Sequence, residues 1–298
     1  MIYEKLINNI GKDKVLKNVP LREHVSFRVG GLCDFMVFPS SAEETAAAAE
    51  ICRAENTPYY ILGNGTNVIA PDEGYRGTVI KIGKNFSGIR CEENRIFAQA
   101  GALLSAVSNT ALDNSLEGLE FAGGIPGSTG GGIIMNAGAY GGELKDVVEK
   151  VTVLDKNGKI RTVSREKCEF AYRSSAFQKS GDIVLEAEFS LNPGVREEIL
   201  GKMKDFSRRR AEKQPLSFPS AGSTFKRPEG YFAGKLIEDS GLKGICVGGA
   251  QVSELHAGFV INRGGATASD ILELIELVRN TVYDRFKVML QPEVRVMK

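Results

Sequence analysis

The N-terminal third of the chain combines short apolar runs with one longer periodic stretch. Residues 34–39, 58–63 and 77–82 are apolar runs of strand length. Residues 41–56 are periodic at helical spacing, with Ser41 placed as N-cap and a glutamate three residues later as its capping-box partner. This alternation of strands with a helix predicts α/β units.

The middle third has a higher strand content. The pattern predicts a strand at 94–100 and a helix near 103–115, followed by a glycine-rich segment. Two alternating runs then follow, at 147–163 and 182–191. The first contains Asn157-Gly158, a strong signal for a hairpin turn. We therefore expect α+β structure here.

The final third begins after a predicted boundary at Pro193-Gly194. A helix is predicted over 195–213, and its Arg208-Arg209-Arg210 run is interpreted as a solvated helix face. A second helix is predicted over 268–286, where apolar residues recur at helical spacing. Short strands complete this part, at residues 245–252, 257–262 and 292–297.

Composition excludes several functional classes. The chain has 298 residues, and its 38 Lys and Arg nearly balance its 37 Asp and Glu. A net charge of +1 gives no electrostatic footprint for nucleic acid or an anionic membrane. Five dispersed cysteines indicate reduced thiols, and only two histidines are present, so we expect no metal site. No secretory signal or membrane span is apparent, and a cytoplasmic location is expected.

The segment from Gly123 to Gly142 contains nine glycines. Each glycine in ordered backbone costs roughly 0.5–1 kcal/mol relative to alanine, so the segment calls for a function. Glycine loops bring backbone N–H groups together as a concave site for phosphate oxygens. A second such loop, 62–67, resembles the start of a dinucleotide fingerprint, but Val68 stands where the third glycine should be. No P-loop motif is present either. The pattern predicts a dinucleotide bound without a Rossmann turn.

These motifs together resemble one flavoenzyme family, the UDP-N-acetylenolpyruvoylglucosamine reductases. The resemblance extends over nearly the whole chain, and the departures are small: Thr66 replaces an expected serine and Gly132 a commoner alanine. The strings that carry it are VGG (29–31), LGNGTN (62–67), AGGIPGSTGGG (122–132), MNAGAYGGE (135–143), YRSSAF (172–177), AGSTFKRP (221–228), KLIEDSGLKG (235–244) and QPEVRV (291–296).

The resemblance implies an α+β protein with a vanillyl-alcohol-oxidase/PCMH-like FAD-binding fold. It implies FAD-binding subdomains over 1–83 and 84–194 and a C-terminal α+β substrate-binding domain over 195–298. The last strand would return Glu293 to the active site. No insertion follows 172–175, which favours the subtype with a short loop over the nucleotide. A monomer is expected.

The resemblance also implies FAD as cofactor and NADPH as hydride donor, with a sugar nucleotide as substrate. The residues expected to bind FAD lie in the glycine-containing strings named above or directly beside them. They are Arg28, Gly30, Gly31, Leu62, Gly63, Asn64, Gly65, Thr66, Asn67, Gly123, Gly124, Ile125, Pro126, Gly127, Ser128, Gly131, Asn136, Gly138 and Ala139.

The implied reaction reduces an enolpyruvyl ether to a lactyl ether, with hydride from the flavin N5. Ser223 matches the family's proton donor, and Arg173 and Glu293 match the residues that polarise the substrate carboxylate. Arginine pairs bidentately with a carboxylate, whereas Glu293 would have to be protonated or share a proton with it. Further substrate contacts are expected from Tyr172, Lys226, Arg227 and Asn262.

Three alternatives remain open at this level. Ser223 and Lys226 form an SxxK pair, as in penicillin-binding proteins, although the SDN and KTG partner motifs are absent and Pro228 disfavours a helix there. A flavin oxidase on the same fold would use oxygen as acceptor. A nucleotide-binding module without chemistry would need none of the three predicted catalytic side chains.

Overall fold

The computed structural model describes residues 1–298. The chain forms two compact units, each assembled from three chain segments. Unit 1 comprises Met1–Lys17, Phe35–Asn64 and Gly77–Arg210, and unit 2 comprises Asn18–Asp34, Gly65–Arg76 and Ala211–Lys298. These boundaries differ from the three consecutive domains expected from the sequence, because two early segments join the C-terminal part. The division into two FAD-binding subdomains and one substrate-binding domain stays a prediction.

Eight α-helices are present. Those predicted from the sequence are confirmed as α2, α3, α6 and α8. The pattern did not assign α1, α4, α5 and α7, of which α4 contains three glycines and is only seven residues long. The bounds are α1 Ile2–Ile10, α2 Ala42–Ala54, α3 Leu104–Asp113, α4 Thr129–Met135, α5 Phe177–Ser180, α6 Arg196–Lys213, α7 Ala233–Asp239 and α8 Ala268–Phe286.

The strands are short, and most lie where an apolar run predicted one. Their bounds are β1 Val15–Pro20, β2 Leu32–Val37, β3 Tyr59–Leu62, β4 Val68–Ile69, β5 Tyr75–Lys81, β6 Ile89–Glu92, β7 Arg95–Gln99, β8 Leu116–Glu117, β9 Gly138–Ala139, β10 Gly142–Glu143, β11 Val148–Leu154, β12 Ile160–Ser164, β13 Ile183–Ser190, β14 Asn192–Pro193, β15 Cys246–Val247, β16 Ala250–Val252, β17 Val260–Asn262 and β18 Arg295–Val296.

The start of α2 corrects one detail of the sequence analysis. Ser41 caps the helix by accepting from the Glu44 amide at 3.2 Å, as predicted. The Glu44 carboxylate does not complete a capping box. It accepts instead from the Ser40 amide at 2.8 Å and from Lys14 Nζ at 2.6 Å, because the preceding chain brings these donors within its reach.

Unit 1 is built around a five-stranded antiparallel sheet of order β12–β11–β13–β7–β6. The predicted hairpin joins β11 and β12 through residues 155–159, where Gly158 has φ +82° and Asp155 accepts from two loop amides. The parallel strands β3 and β5 pair with Leu62 opposite Lys81, and belong to a sheet of order β1–β2–β5–β3. The large buried core of this unit includes Val151, Ala187 and Phe189.

Unit 2 contains the three-stranded antiparallel sheet β15–β16–β17 and helix α8. The predicted apolar stripe of α8 is fully buried, and it forms the core with the sheet and α7. Strand β18 pairs in parallel with β4, so the C-terminal residues join a segment more than two hundred positions earlier. None of the helices is long and apolar enough to cross a membrane.

Candidate active site

The glycine segment of unit 1 folds into a short loop followed by helix α4. The backbone of Thr129 donates to Ala102 O at 2.7 Å and that of Gly130 donates to Ala100 O at 2.8 Å, which anchors the loop to the end of β7. The helix ends at Asn136, which adopts the left-handed conformation at φ 42°. The segment is therefore ordered by contacts of its own backbone.

Ser128 places a buried hydroxyl between the two glycine loops. Its side chain is only 2% exposed, and its Oγ has no hydrogen-bond partner within the chain. A Cβ built on Gly63 would lie 2.6 Å from this oxygen, so a side chain at position 63 would displace the Ser128 hydroxyl. Asn64 also links the two loops, by donating a hydrogen bond to Pro126 O at 2.6 Å. A buried hydroxyl donor between two glycine loops fits a phosphate-bearing cofactor such as FAD.

Not every glycine in the segment has this role. A Cβ on Gly142 would lie 2.5 Å from Phe121 Cδ1, and one on Gly138 would lie 2.6 Å from Gly142 O. These residues are glycine because neighbouring parts of unit 1 occupy the space. Gly138 stays a predicted cofactor contact through its backbone alone.

Asn136 fastens three loops of unit 1 together. It is fully buried, and its Nδ2 donates to Glu143 Oε2 at 3.0 Å and to Ala171 O at 3.1 Å, while its Oδ1 accepts from the Lys145 amide at 2.9 Å. Both amide hydrogens are thus used within the chain. The predicted side-chain contact to FAD remains untested, whereas the positioning role is evident from these bonds.

The loop fastened by Asn136 carries Arg173. This residue has φ 52°, an uncommon value for a side chain of this size, and its Nη2 donates to Gly138 O at 3.1 Å. Arg173 and the 47% exposed Tyr172 line an open cleft of about 400 Å³ together with the 138–146 segment. Lys145 and Glu143 pair at 2.7 Å on the same cleft. Burial opposes ionisation of Glu143, but bonds from Lys145 and Asn136 outweigh it and lower its pKa.

In unit 2, Ser223 and Glu293 lie on adjacent backbone segments. The Glu293 amide donates to Thr224 O at 2.8 Å, and the Lys226 amide donates to Gln291 O at 2.8 Å. The Thr224 side chain is buried and its Oγ1 accepts from Val260 N at 3.0 Å, which leaves Ser223 exposed beside it. Residues 223–226 therefore form no helix, and Phe225 makes an isolated antiparallel bridge with Pro292. This contradicts the penicillin-binding alternative, which requires Lys226 one helical turn after Ser223.

The second glycine loop joins the Glu293 segment within unit 2. Asn67 Nδ2 donates to Glu293 O at 3.1 Å, and the amide of Arg295 donates to Asn67 O at 3.0 Å. Gly65 has φ 69°, and a Cβ there would lie 2.2 Å from His24 O, so no other residue fits. Thr66 lies between these two anchored positions.

Several predicted residues have local partners instead of open surroundings. Asn262 is buried, donates to Phe27 O at 2.9 Å, and accepts from two amides of its own turn. Arg227 donates to Tyr231 O at 3.3 Å and covers the Phe232 ring. Gly30 and Gly31 pack closely against residues 70–74 of unit 2, which leaves no space for a Cβ at either glycine. Their predicted ligand contacts stay predictions.

Two residues of the site region escaped the sequence analysis. Tyr140 lines the cleft at φ 53° and stacks on Phe206, with ring centroids 4.6 Å apart. Arg210 packs against Gly124 and is partly buried, contrary to the expected solvated face of the arginine run. Arg210 follows Met203 and Phe206 at helical spacing, and this pattern could have shown that it lies on a different face of the helix from Arg208 and Arg209. No group of His, Cys, Asp and Glu side chains could hold a metal ion.

Two family models match the chain. One is described as UDP-N-acetylenolpyruvoylglucosamine reductase, C-terminal domain, and matches residues 214–297; the other is described as FAD binding domain and matches 33–164. A protein named UDP-N-acetylenolpyruvoylglucosamine reductase from Clostridium novyi (strain NT) is 52% identical over 295 residues, 99% of this chain and 96% of that protein. The chain belongs to the UDP-N-acetylenolpyruvoylglucosamine reductase family.

Other similarities agree with this family. A relative of the same name from Alkaliphilus oremlandii (strain OhILAs) is 51% identical over 294 residues, 99% of this chain and 97% of that protein. The crystal structure of the Thermus caldophilus reductase matches with a TM-score of 0.81 and 34% identity, covering 94% of this chain and 98% of that one. A grass pollen allergen with glucose dehydrogenase activity matches at TM-score 0.53 and 13% identity, over 66% of this chain and 45% of that one, and shows the fold alone.

The predicted fold class is therefore confirmed, as is the expectation of an FAD-dependent oxidoreductase of peptidoglycan precursor synthesis. The FAD-binding model spans both glycine loops, including Ser128 and Gly63. The reductase C-terminal model spans Ser223 and Glu293. A family member needs an FAD site, and the orphaned Ser128 hydroxyl between glycine loops fits one.

Proposed function

We propose that the chain reduces the enolpyruvyl ether of UDP-N-acetylglucosamine enolpyruvate to the lactyl ether of UDP-N-acetylmuramate, with NADPH as the reductant. The observation that supports this most is the bond from the Glu293 amide to Thr224 O, which keeps the segments of Ser223 and Glu293 adjacent. FAD, when bound, supplies the hydride that reaches the terminal vinyl carbon. The protein residues then have to hold the substrate carboxylate and deliver one proton.

Arg173 is proposed to hold the substrate carboxylate. Its backbone is fixed by Gln178, which donates to Arg173 O at 3.0 Å, and its guanidinium is steadied by the Gly138 carbonyl. A planar guanidinium matches both oxygens of a carboxylate and keeps its charge at any working pH. It therefore stabilises negative charge that spreads from the vinyl carbons onto the carboxylate as hydride adds.

Ser223 is proposed to donate the proton. Hydride addition to C3 leaves the pair of electrons of the double bond at C2, and the Ser223 O–H bond breaks as the C2–H bond forms. The resulting alkoxide regains a proton from solvent, and the net change is one hydride and one proton added. A hydroxyl suits this position because, unlike a carboxylate, it adds no negative charge before the reaction. Glu293, protonated, would share a hydrogen bond with the substrate carboxylate.

The half-reactions are separated by anaerobic absorbance spectroscopy of the flavin-loaded protein. NADPH is expected to bleach the flavin band, and the enolpyruvyl substrate to restore it. In Ser223→Ala the bleaching rate stays at the wild-type value and the recovery slows roughly 10²–10⁴-fold. Ser217→Ala, an exposed serine of the same loop, serves as control. Recovery only on admission of air would favour an oxidase, and a recovery rate in Ser223→Ala within threefold of wild type would refute the donor role.

Glu293→Gln provides a separate test. A neutral amide cannot lose a proton, so the fall in turnover that ionisation of Glu293 causes as pH rises should disappear in this variant. An unchanged profile would contradict the proposed role. The short-loop subtype, the monomeric state, the cytoplasmic location and the absence of nucleic-acid partners remain predictions from the sequence.

A further inference from the structure

Helix α6 presents its three consecutive arginines to different surroundings. Arg208 and Arg209 both pair with Asp205, at 2.6 and 2.7 Å, and their side chains are more than half exposed. Arg210 is instead aligned with the stripe of the helix that carries Met203 and Phe206. Arg208 and Arg209 are solvent-exposed as expected, whereas the position of Arg210 needs another explanation.

The Arg210 stripe covers part of the predicted cofactor loop within unit 1. A Cβ built on Gly124 would lie 3.3 Å from Arg210 Cδ and 3.5 Å from its Nη1, and one on Gly123 would lie 3.2 Å from Met203 Cε. The next residue of the stripe, Phe206, stacks in parallel on Tyr140. The guanidinium therefore lies where the glycine loop and the ring of a cleft residue meet α6.

Arg210 has no anionic partner in the chain. None of the ion pairs includes it, and its guanidinium donates no hydrogen bond to another residue. Burial lowers its pKa, and the only charge interaction that opposes this effect comes from the Tyr140 hydroxyl. A cation that is partly removed from water without a counter-charge is unfavourable, and an anion bound beside it would offset that cost. The unpartnered Ser128 hydroxyl lies in the same loop region of unit 1.

We propose that Arg210 binds the diphosphate of a nucleotide held on the surface formed by Gly123, Gly124 and Tyr140. The inference rests on the proposed function, whose ligands FAD, NADPH and the sugar nucleotide all carry a diphosphate; the assignment is to the diphosphate of FAD or of the sugar nucleotide. Glycine at 124 lets the guanidinium approach the loop backbone, so a phosphate cradled by backbone amides is within reach of the arginine fork. Arginine suits a diphosphate because its donors pair with two oxygens at once.

The test compares Arg210→Met with Arg209→Met. Methionine keeps most of the apolar stem over Gly124 and removes only the charge and donors. The Kd of FAD is measured with the apoprotein by quenching of flavin fluorescence. The Kd of UDP-N-acetylglucosamine, which carries the diphosphate without the vinyl group, is measured with the flavin-loaded protein by calorimetry. Arg210→Met should raise one of these two constants roughly 10–100-fold, the usual effect of losing a charge-assisted contact. Arg209→Met should change neither constant more than twofold.

The two binding measurements identify the source. If only the Kd of FAD rises, Arg210 binds the cofactor diphosphate. If only the Kd of UDP-N-acetylglucosamine rises, Arg210 binds the substrate diphosphate. Arg210→Lys, which keeps the charge and loses the fork, should give an intermediate Kd, and it replaces the methionine variant if that one does not fold. Wild-type values of both constants in these variants would overturn the inference, and wild-type turnover measured in parallel would show that the proposed function itself stands.

Discussion

Asn136→Ala provides the sharpest test of how unit 1 positions the loop that carries Arg173. The substitution removes three hydrogen bonds from a fully buried side chain, to Glu143, Lys145 and Ala171. At about 1 kcal/mol net for each bond, the loss is roughly 3 kcal/mol. Alanine also tolerates the left-handed backbone of this position less well than asparagine, which adds about 1 kcal/mol.

The total of about 4 kcal/mol translates into a thermal shift. For a unit of 150–250 residues, 1 kcal/mol lowers the Tm by roughly 2–4 °C, so we expect a fall of roughly 8–16 °C by scanning calorimetry. Turnover should fall as well, because the loop that Asn136 fastens through Ala171 also carries Arg173. Asn114→Ala is the control: its side chain makes one exposed bond, to Thr110 O. A Tm within 2 °C of wild type for Asn136→Ala would refute the positioning role.

Three further outcomes are expected. Ser128→Ala should leave the Tm of the apoprotein unchanged or raise it, because it removes an unsatisfied buried hydroxyl. The same variant should raise the Kd of FAD about tenfold. An unchanged Kd would count against a cofactor site at Ser128. Burial opposes ionisation of Asp72, but hydrogen bonds from the first amides of α8 outweigh it and lower its pKa. Asp72→Ala should therefore lower the free energy of unfolding by about 1 kcal/mol at pH 7, measured by urea unfolding. This difference should shrink to zero in acid, where Asp72 of the wild type is protonated. Burial raises the pKa of Cys33 and Cys168 to about 11, from 9.0. The free energy of unfolding should therefore fall as pH rises from 9 to 11. A thiol reagent at pH 8 should modify the exposed Cys246 and leave Cys33 and Cys168 unmodified.

Local sequence signals were sufficient for most individual elements. Helix α8 begins and ends where its apolar spacing predicted, because a single stripe at helical period and a Thr267–Asp270 capping box act within the element. The β11–β12 hairpin formed around the predicted Asn157-Gly158 pair for the same reason. The prediction that the glycine loops bind FAD also rests on short strings, since glycines and hydroxyl side chains that are neighbours in sequence can form a backbone site for phosphate.

Tertiary structure alone decided what each residue of those loops does. Gly142 is glycine because Phe121 occupies its side-chain space, and Asn136 is buried because two other segments, 143–145 and the one carrying Ala171, converge on it. The parallel pairing of β18 with β4, which brings Glu293 beside Asn67, joins segments far apart in the chain. Arg210 differs from Arg209 only in which face of α6 it occupies. These outcomes depend on contacts between distant segments, whereas periodicity and turn signals report only a residue's near neighbours along the chain.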